Sequence, residues 1–199
     1  MSEPSFTPDP LPLMGPRIAL RRLSLADLAD FQAYRADPEL GRYQGWTPMA
    51  EAEARAFLAG MAMQPFGLRG RWLQLGIAER AGGRLIGDIG LCLSDPGRPS
   101  QAEIGFTLAR AWQGRGLAAE AVRLALQLLF GHSDIERVVA VSDARNAASI
   151  RLLRALGMRF VASEAALFRG EPCEEQHFEL ARTTDASRHR AFPDFAPGA

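Results

Sequence analysis

Two rhythms run along the chain. Short runs rich in apolar and β-branched residues mark strands at Ile18–Leu23, Trp72–Ala78, Arg84–Leu91, Ala102–Leu108 and Arg137–Val141, with two more near Met158–Ala162 and His177–Leu180. Gly82-Gly83 between the second and third runs is a hairpin signal, and Asp95-Pro96-Gly97 marks another turn. Helical spacing takes over between these runs. Leu117, Ala121, Leu124, Ala125 and Leu128 fall on one face of a helix over Gly116–Phe130, with Glu120, Arg123 and Gln127 on its other side. Ser24-x-x-Asp27 opens an earlier helix that runs through Tyr34. Thr47-Pro48 supplies a cap and a first-turn proline for one over Met49–Met63. Asn146 caps a last helix that stops at Leu156, where Gly157 provides a left-handed C-terminal residue. The order is β-α-α-β-β-β-α-β-α-β-β: a mixed α/β (α+β) domain, since the consecutive strands over 72–108 exclude a simple doubly wound sheet.

The pattern thins at both ends. Residues 1–16 are rich in proline and are expected to be irregular; 17–182 form one domain, and 183–199 a loose tail. The N-terminal stretch carries Glu3 and Asp9 and does not resemble a signal peptide. The longest apolar stretch, near Leu124–Phe130, is too short to span a bilayer. These features predict a cytoplasmic protein with no membrane partner.

Charge changes the picture through its composition. The 23 basic residues balance 23 acidic ones, which predicts no nucleic-acid surface, and every one of the basic residues is arginine. Without lysine there is no Schiff base and no Walker-type phosphate loop. Cys92 and Cys173 form no disulfide framework, and His132, His177 and His189 lack ligand spacing, so no metal is expected.

Candidate chemistry sits in Gln113-Gly114-Arg115-Gly116-Leu117-Ala118, between a strand and the best helix. Successive N–H groups at a helix N-terminus bind a diphosphate without lysine, and Arg115 adds charge-assisted bonds. A plain turn is the alternative. The letters also fit a dinucleotide fingerprint, Gly114-x-Gly116-x-x-Ala119 with Asp143 as ribose partner. Against it, residues 109–113 separate the strand from the first glycine, and Asp143 lies beyond the usual spacing of roughly 20 residues.

Ala102-Glu103-Ile104-Gly105-Phe106-Thr107-Leu108 followed by Gln113-x-x-Gly116-x-Ala118 resembles motif A of the GCN5-related N-acetyltransferases (GNAT). Asn146-Ala147-Ala148-Ser149 with Leu156-Gly157-Met158 resembles the motif that follows it, and the combination is most similar to the RimJ/RimL-like branch. The resemblance implies a mostly antiparallel twisted sheet of roughly six to seven strands with a splayed parallel pair, and about four helices. It implies acetyl-CoA as cosubstrate, with Phe106, Thr107 and Leu108 against the pantetheine arm. Gln113, Gly114, Arg115, Gly116, Leu117 and Ala118 would hold the pyrophosphate, and Asn146 and Ser149 would add contacts. Glu103 is the candidate base, Asp88 the reserve, and Ser149 the candidate proton donor, with a hydroxyl bonded back to its own helix as the alternative. Leu153 stands where many members carry a tyrosine acid. Tyr43, Trp46 and Phe66, with Glu171, Glu174 and Glu175, are the candidates for the acceptor side; core packing and a solvated charged turn are the plainer readings of these two groups.

The resulting expectation is direct transfer of an acetyl group to a primary amine, a protein N-terminus or a small molecule, by a monomer or homodimer. A non-catalytic acyl-CoA sensor and a nucleotide-binding oxidoreductase are the alternatives.

Overall fold

The computed structural model describes residues 9–95 and 100–183. The expected tail beyond Thr183, His189 and most of the turn at Pro96-Gly97 lie outside the described residues. Among the described residues eight strands form one sheet: β1 (Leu13–Met14), β2 (Ile18–Arg22), β3 (Trp72–Glu79), β4 (Leu85–Leu93), β5 (Gln101–Leu108), β6 (Arg137–Asp143), β7 (Arg159–Phe168) and β8 (Glu171–Ala181). Their spatial order is β1-β2-β3-β4-β5-β6-β8-β7. Every pairing is antiparallel except β5 with β6. The sheet is therefore wider than the expected six or seven strands, because the segment expected to be irregular contributes β1 against β2.

Among the described residues five α-helices accompany it: α1 (Leu28–Arg35), α2 (Pro38–Gly41), α3 (Glu51–Met63), α4 (Leu117–His132) and α5 (Ala147–Ala155). The Ser24 backbone N–H donates to the Asp27 carboxylate at 2.8 Å, closing the expected N-terminal box through a 3-10 turn at Leu25–Asp27 that runs into α1. The second expected cap shifts. Residues 47–50 form no helix, Ala50 is extended, and α3 begins after it; the Ala50 N–H donates to Glu53 at 3.1 Å. The very short α2 was hidden by its length, and Asp37 caps it by accepting from Glu39 N–H.

Two apolar clusters hold the layers together. The larger joins the sheet to α4 and α5 and includes Leu117, Ala121, Leu124, Ala125 and Leu128, the predicted face of α4. The smaller gathers Leu23, Phe31, Tyr34, Ala54, Leu58 and Leu85 around α1 and α3. On β4, Asp88 meets α1 residues while its neighbour Ile89 belongs to the α4 cluster. Successive strand residues face opposite ways, so the two helix groups cover opposite sheet faces.

Glu120, on the other side of α4 from its apolar face, is nevertheless buried, at 5% exposed. Its carboxylate accepts the Arg17 and Ile18 backbone N–H groups at 2.8 and 3.2 Å and the Arg17 Nε at 2.8 Å. A helical wheel sees only the helix, and this partner comes from the start of β2.

Candidate active site

The site starts where the sheet opens. β5 and β6 pair in parallel over Gln101–Glu103 and Arg137–Val139 and then separate. Each remains paired on its far edge, β5 to β4 out to Leu108 and β6 to β8 out to Asp143. Between Ile104–Leu108 and Ala140–Asp143 the facing backbone edges therefore have no strand partner and line a cleft of about 630 Å³. Unpaired strand edges of this kind are ready acceptors and donors for an extended amide-bearing ligand.

The glycine loop closes one end of the cleft. Gly114 and Gly116 have φ of +73° and +76°, in the left-handed region that side chains resist, and Gly116 is the N-cap of α4. A Cβ at Gly114 would meet nothing within 4 Å, so the loop is open to an incoming group. The Gln113 side chain ties the loop to the end of β5 through its Nε2 to the Leu108 carbonyl at 2.8 Å. From behind, Arg17 Nη1 donates to the Arg115 carbonyl at 2.8 Å.

Of the residues singled out in the sequence, Phe106, Thr107, Leu108, Gln113, Gly114, Gly116, Leu117, Ala118, Asn146 and Ser149 all line this one cleft. Asn146 caps α5, its Oδ1 accepting from Ser149 N–H at 3.2 Å. The Ser149 hydroxyl has no hydrogen-bond partner among the described residues, so the alternative of a bond back to its own helix is not found. Leu153 is buried at the cleft wall.

Arg115 and Glu103 stand apart. The Arg115 guanidinium turns away from the cleft, lies over the Trp112 ring at 5.2 Å and lines a second cavity. Glu103 belongs to the face of the sheet that α1 covers elsewhere. In register, Glu103 matches Cys92 and Val139, Gly105 matches Gly90, and Thr107 matches Asp88. Paired residues project from the same face. Further along, Val141 matches His177 and Asp143 matches Glu175. Burial holds the Glu103 carboxyl above the ordinary glutamate range; the Glu175 charge pushes the same way and His177 opposes both.

Asp88, the reserve base, is fully engaged. It is 1% exposed and accepts from Tyr34 Oη, Arg35 Nη2 at 2.8 Å and Gln74 Nε2 at 2.8 Å. Arg35 stacks between Phe31 and Trp46, 4.8 and 4.6 Å from their ring centroids, so Trp46 packs rather than standing open. Burial, and next the Asp88 charge, raise the Tyr34 phenol well above its ordinary range. These groups brace α1 against β4.

Sequence reasoning missed the part of the cleft lining in and after α2. Leu40 and Gln44 line the cleft beside Tyr43, and Gln44 Nε2 donates to the Phe106 carbonyl at 3.3 Å. Arg169, in the turn between β7 and β8 with φ of +53°, donates to the Gln44 and Trp46 carbonyls at 3.2 and 2.6 Å. No local pattern announces an irregular segment held by a distant arginine. Phe66 instead packs on the large core, and Glu174 accepts from the Ser163 hydroxyl on the exposed β7–β8 hairpin.

A family model described as "Acetyltransferase (GNAT) domain" matches residues 17–159, which contain the splayed strands, the glycine loop and α5. The chain belongs to the GNAT family of N-acetyltransferases. The uncharacterized N-acetyltransferase p20 of Bacillus licheniformis is 29% identical over 143 residues, 72% of this chain and 79% of that protein. The crystal structure of a GNAT-family acetyltransferase from Bacillus anthracis superposes with a TM-score of 0.74 at 18% identity, covering 86% of this chain and 98% of that one. RimL, a ribosomal L7/L12 alpha-N-protein acetyltransferase in complex with coenzyme A, gives a TM-score of 0.74 at 17% identity, covering 87% and 98%. At these identities the two structures speak for the fold. Among the described residues no cluster of His, Cys, Asp and Glu could hold a metal ion, and no helix is long and apolar enough to cross a membrane.

Proposed function

We propose that this GNAT protein transfers the acetyl group of acetyl-CoA directly to a primary amine, as RimJ/RimL-like enzymes do to protein N-termini. The observation that carries the reading is the separation of β5 from β6 beyond Glu103, ending at the left-handed glycines before α4. The cleft fits the cosubstrate: its strand edges are open, and a Cβ at Gly105 or Gly114 would enter empty space. Bound there, acetyl-CoA supplies an activated thioester carbonyl.

The chain's own residues do the rest. The N–H groups of Gly114–Ala118 and the positive end of α4 hold phosphate oxygens, Gln113 N–H being taken up by the Arg110 carbonyl at 3.1 Å, while Phe106–Leu108 and Asn146 orient the arm. Glu103, on the opposite sheet face from α4, takes a proton from the acceptor ammonium, directly or through water, and the neutral amine so formed attacks the thioester carbonyl. Its raised pKa brings it nearer neutrality, where a general base is most effective. Ser149 Oγ, on the cleft wall and without a competing partner, gives a proton to the departing sulfur. Glu103 and Glu175 share a face beside the late hairpin, and their charge favours a cationic acceptor.

The test is thiol release from acetyl-CoA with peptides beginning with Ser or Ala, polyamines and aminoglycosides as acceptors. Stimulation by at least one acceptor, with one acetyl group added to its amine, is expected. Binding of CoA without acceleration by any amine would favour a sensor instead.

A further inference from the structure

A second cavity, of about 610 Å³, lies under the hairpin between β3 and β4, and the reaction does not use it. Its floor is apolar at Ile86, Leu117 and Trp112, and its rim is charged at Arg17, Glu79, Arg80 and Arg115. Glu79 pairs with Ile18 across β3 and β2, so its side chain leaves the sheet on the face that α4 covers. Arg115 comes from the loop before α4, and its guanidinium lies over the Trp112 ring at 5.2 Å.

Three of the four charged groups are uncommitted. Arg17 is taken up by Glu120 and the Arg115 carbonyl. Arg80 is held through one contact, Nη1 to the Gly15 carbonyl at 3.0 Å, and has no ion pair among the described residues. The Arg115 guanidinium and the Glu79 carboxylate make no hydrogen bond or ion pair among the described residues. One cavity thus holds two free guanidinium forks, one free carboxylate and an apolar floor. A phosphate dianion would match the forks and be repelled by Glu79. A carboxylate on the forks with an ammonium beside it satisfies all three groups. Both charges on one carbon, next to a body that suits the floor, describe an apolar α-amino acid.

We infer that this cavity binds an apolar α-amino acid as a ligand distinct from both substrates. Arg80 and Arg115 hold its carboxylate, Glu79 its ammonium, and Ile86, Leu117 and Trp112 its side chain. Leu117 lines both this cavity and the cleft and stands between them, so the two sites fill independently. The inference goes beyond the acetyl-transfer reading and does not depend on it.

Calorimetric affinities for L-phenylalanine, 3-phenylpropanoate, which lacks the ammonium, and phenethylamine, which lacks the carboxylate, test the site with no thioester present. The wild type should bind phenylalanine saturably, and more tightly than either analogue by about tenfold or more, the worth of one charge-assisted contact. Arg80→Ala should shrink the advantage over phenethylamine, and Arg80→Lys should keep part of it. Glu79→Gln should shrink the advantage over 3-phenylpropanoate. Acetyl-CoA should bind these variants as it binds the wild type, and should bind the wild type alongside phenylalanine. No saturable binding of phenylalanine, preferences that survive the substitutions, tighter binding of inorganic phosphate at the same site, or displacement of phenylalanine by acetyl-CoA would overturn the inference. Failure of acetyl-CoA to bind, with phenylalanine bound as described, would instead remove the acetyl-CoA reading and leave this one standing.

Discussion

Arg17 and Glu120 meet twice, once through the arginine backbone N–H and once through its Nε, each at 2.8 Å. The same guanidinium holds the Arg115 carbonyl, so the buried carboxylate in the first turn of α4 fixes both the start of β2 and the back of the glycine loop. Glu120→Ala leaves one buried and one part-buried N–H group, of Ile18 and Arg17, without an acceptor and should cost about 2–4 kcal/mol in urea unfolding. Arg17→Ala should cost only about 1 kcal/mol, because the backbone contacts persist and the side chain is 53% exposed. Equal losses would show that the side-chain pair, rather than the carboxylate's backbone contacts, dominates.

Glu103 links chemistry to pH. Its carboxyl lies above the ordinary glutamate range through burial and then the Glu175 charge. The folded value exceeds the unfolded one, so the fold favours the protonated form. Ionised Glu103 therefore costs stability above its folded pKa, and that cost disappears as pH falls through it. Glu103→Gln should raise the melting temperature at neutral pH while lowering turnover about a hundredfold. Glu175→Gln should lower the Glu103 pKa and move the acid limb of the kcat/KM profile to lower pH. An unmoved limb would detach that limb from Glu103.

Asp88 makes the contrasting case. Removing it leaves Arg35, 4% exposed, without its counter-charge, so Asp88→Ala should destabilise by about 3–5 kcal/mol in denaturant. Asp88→Asn keeps an acceptor and should lose less. Because the wild-type carboxylate is occupied by three donors, the Asn variant should retain most of the turnover that Glu103→Gln loses.

What could be read from the sequence was local. The apolar face of α4, the Asn146 cap, Gly157 (φ +81°) at the end of α5 and the glycine loop each depend on neighbours a few positions away. The ten cleft-lining residues named beforehand were implied by the resemblance of β5, the loop and the start of α5 to the GNAT motifs. What stayed hidden depends on distant partners: Glu120 is buried by β2, and Gln44 is placed by Arg169. The β7–β8 hairpin runs longer than its expected strands because β7 is an exposed edge, with Leu167 and Val161 facing solvent, and gives no buried alternation to read.

Gln44 gives a test of the cleft wall. On the proposed reading its bond to the Phe106 carbonyl competes with the pantetheine arm for that acceptor. Gln44→Ala should then tighten acetyl-CoA binding by about two- to fivefold, the worth of one ordinary hydrogen bond. Weaker binding would mean that Gln44 supports the ligand instead.

Calorimetric titration of acetyl-CoA into the wild-type chain and Gly116→Glu tests the central claim most directly. Residue 116 has φ of +76° at the N-cap of α4, where any side chain is strained, and its Cβ would lie 3.5 Å from the Arg17 guanidinium behind the loop, so the substitution disturbs the turn proposed to hold the phosphates. The account predicts saturable binding to the wild type and its loss in the variant, with the variant still folded by circular dichroism. No binding to the wild type, or equal affinity in both, would contradict it.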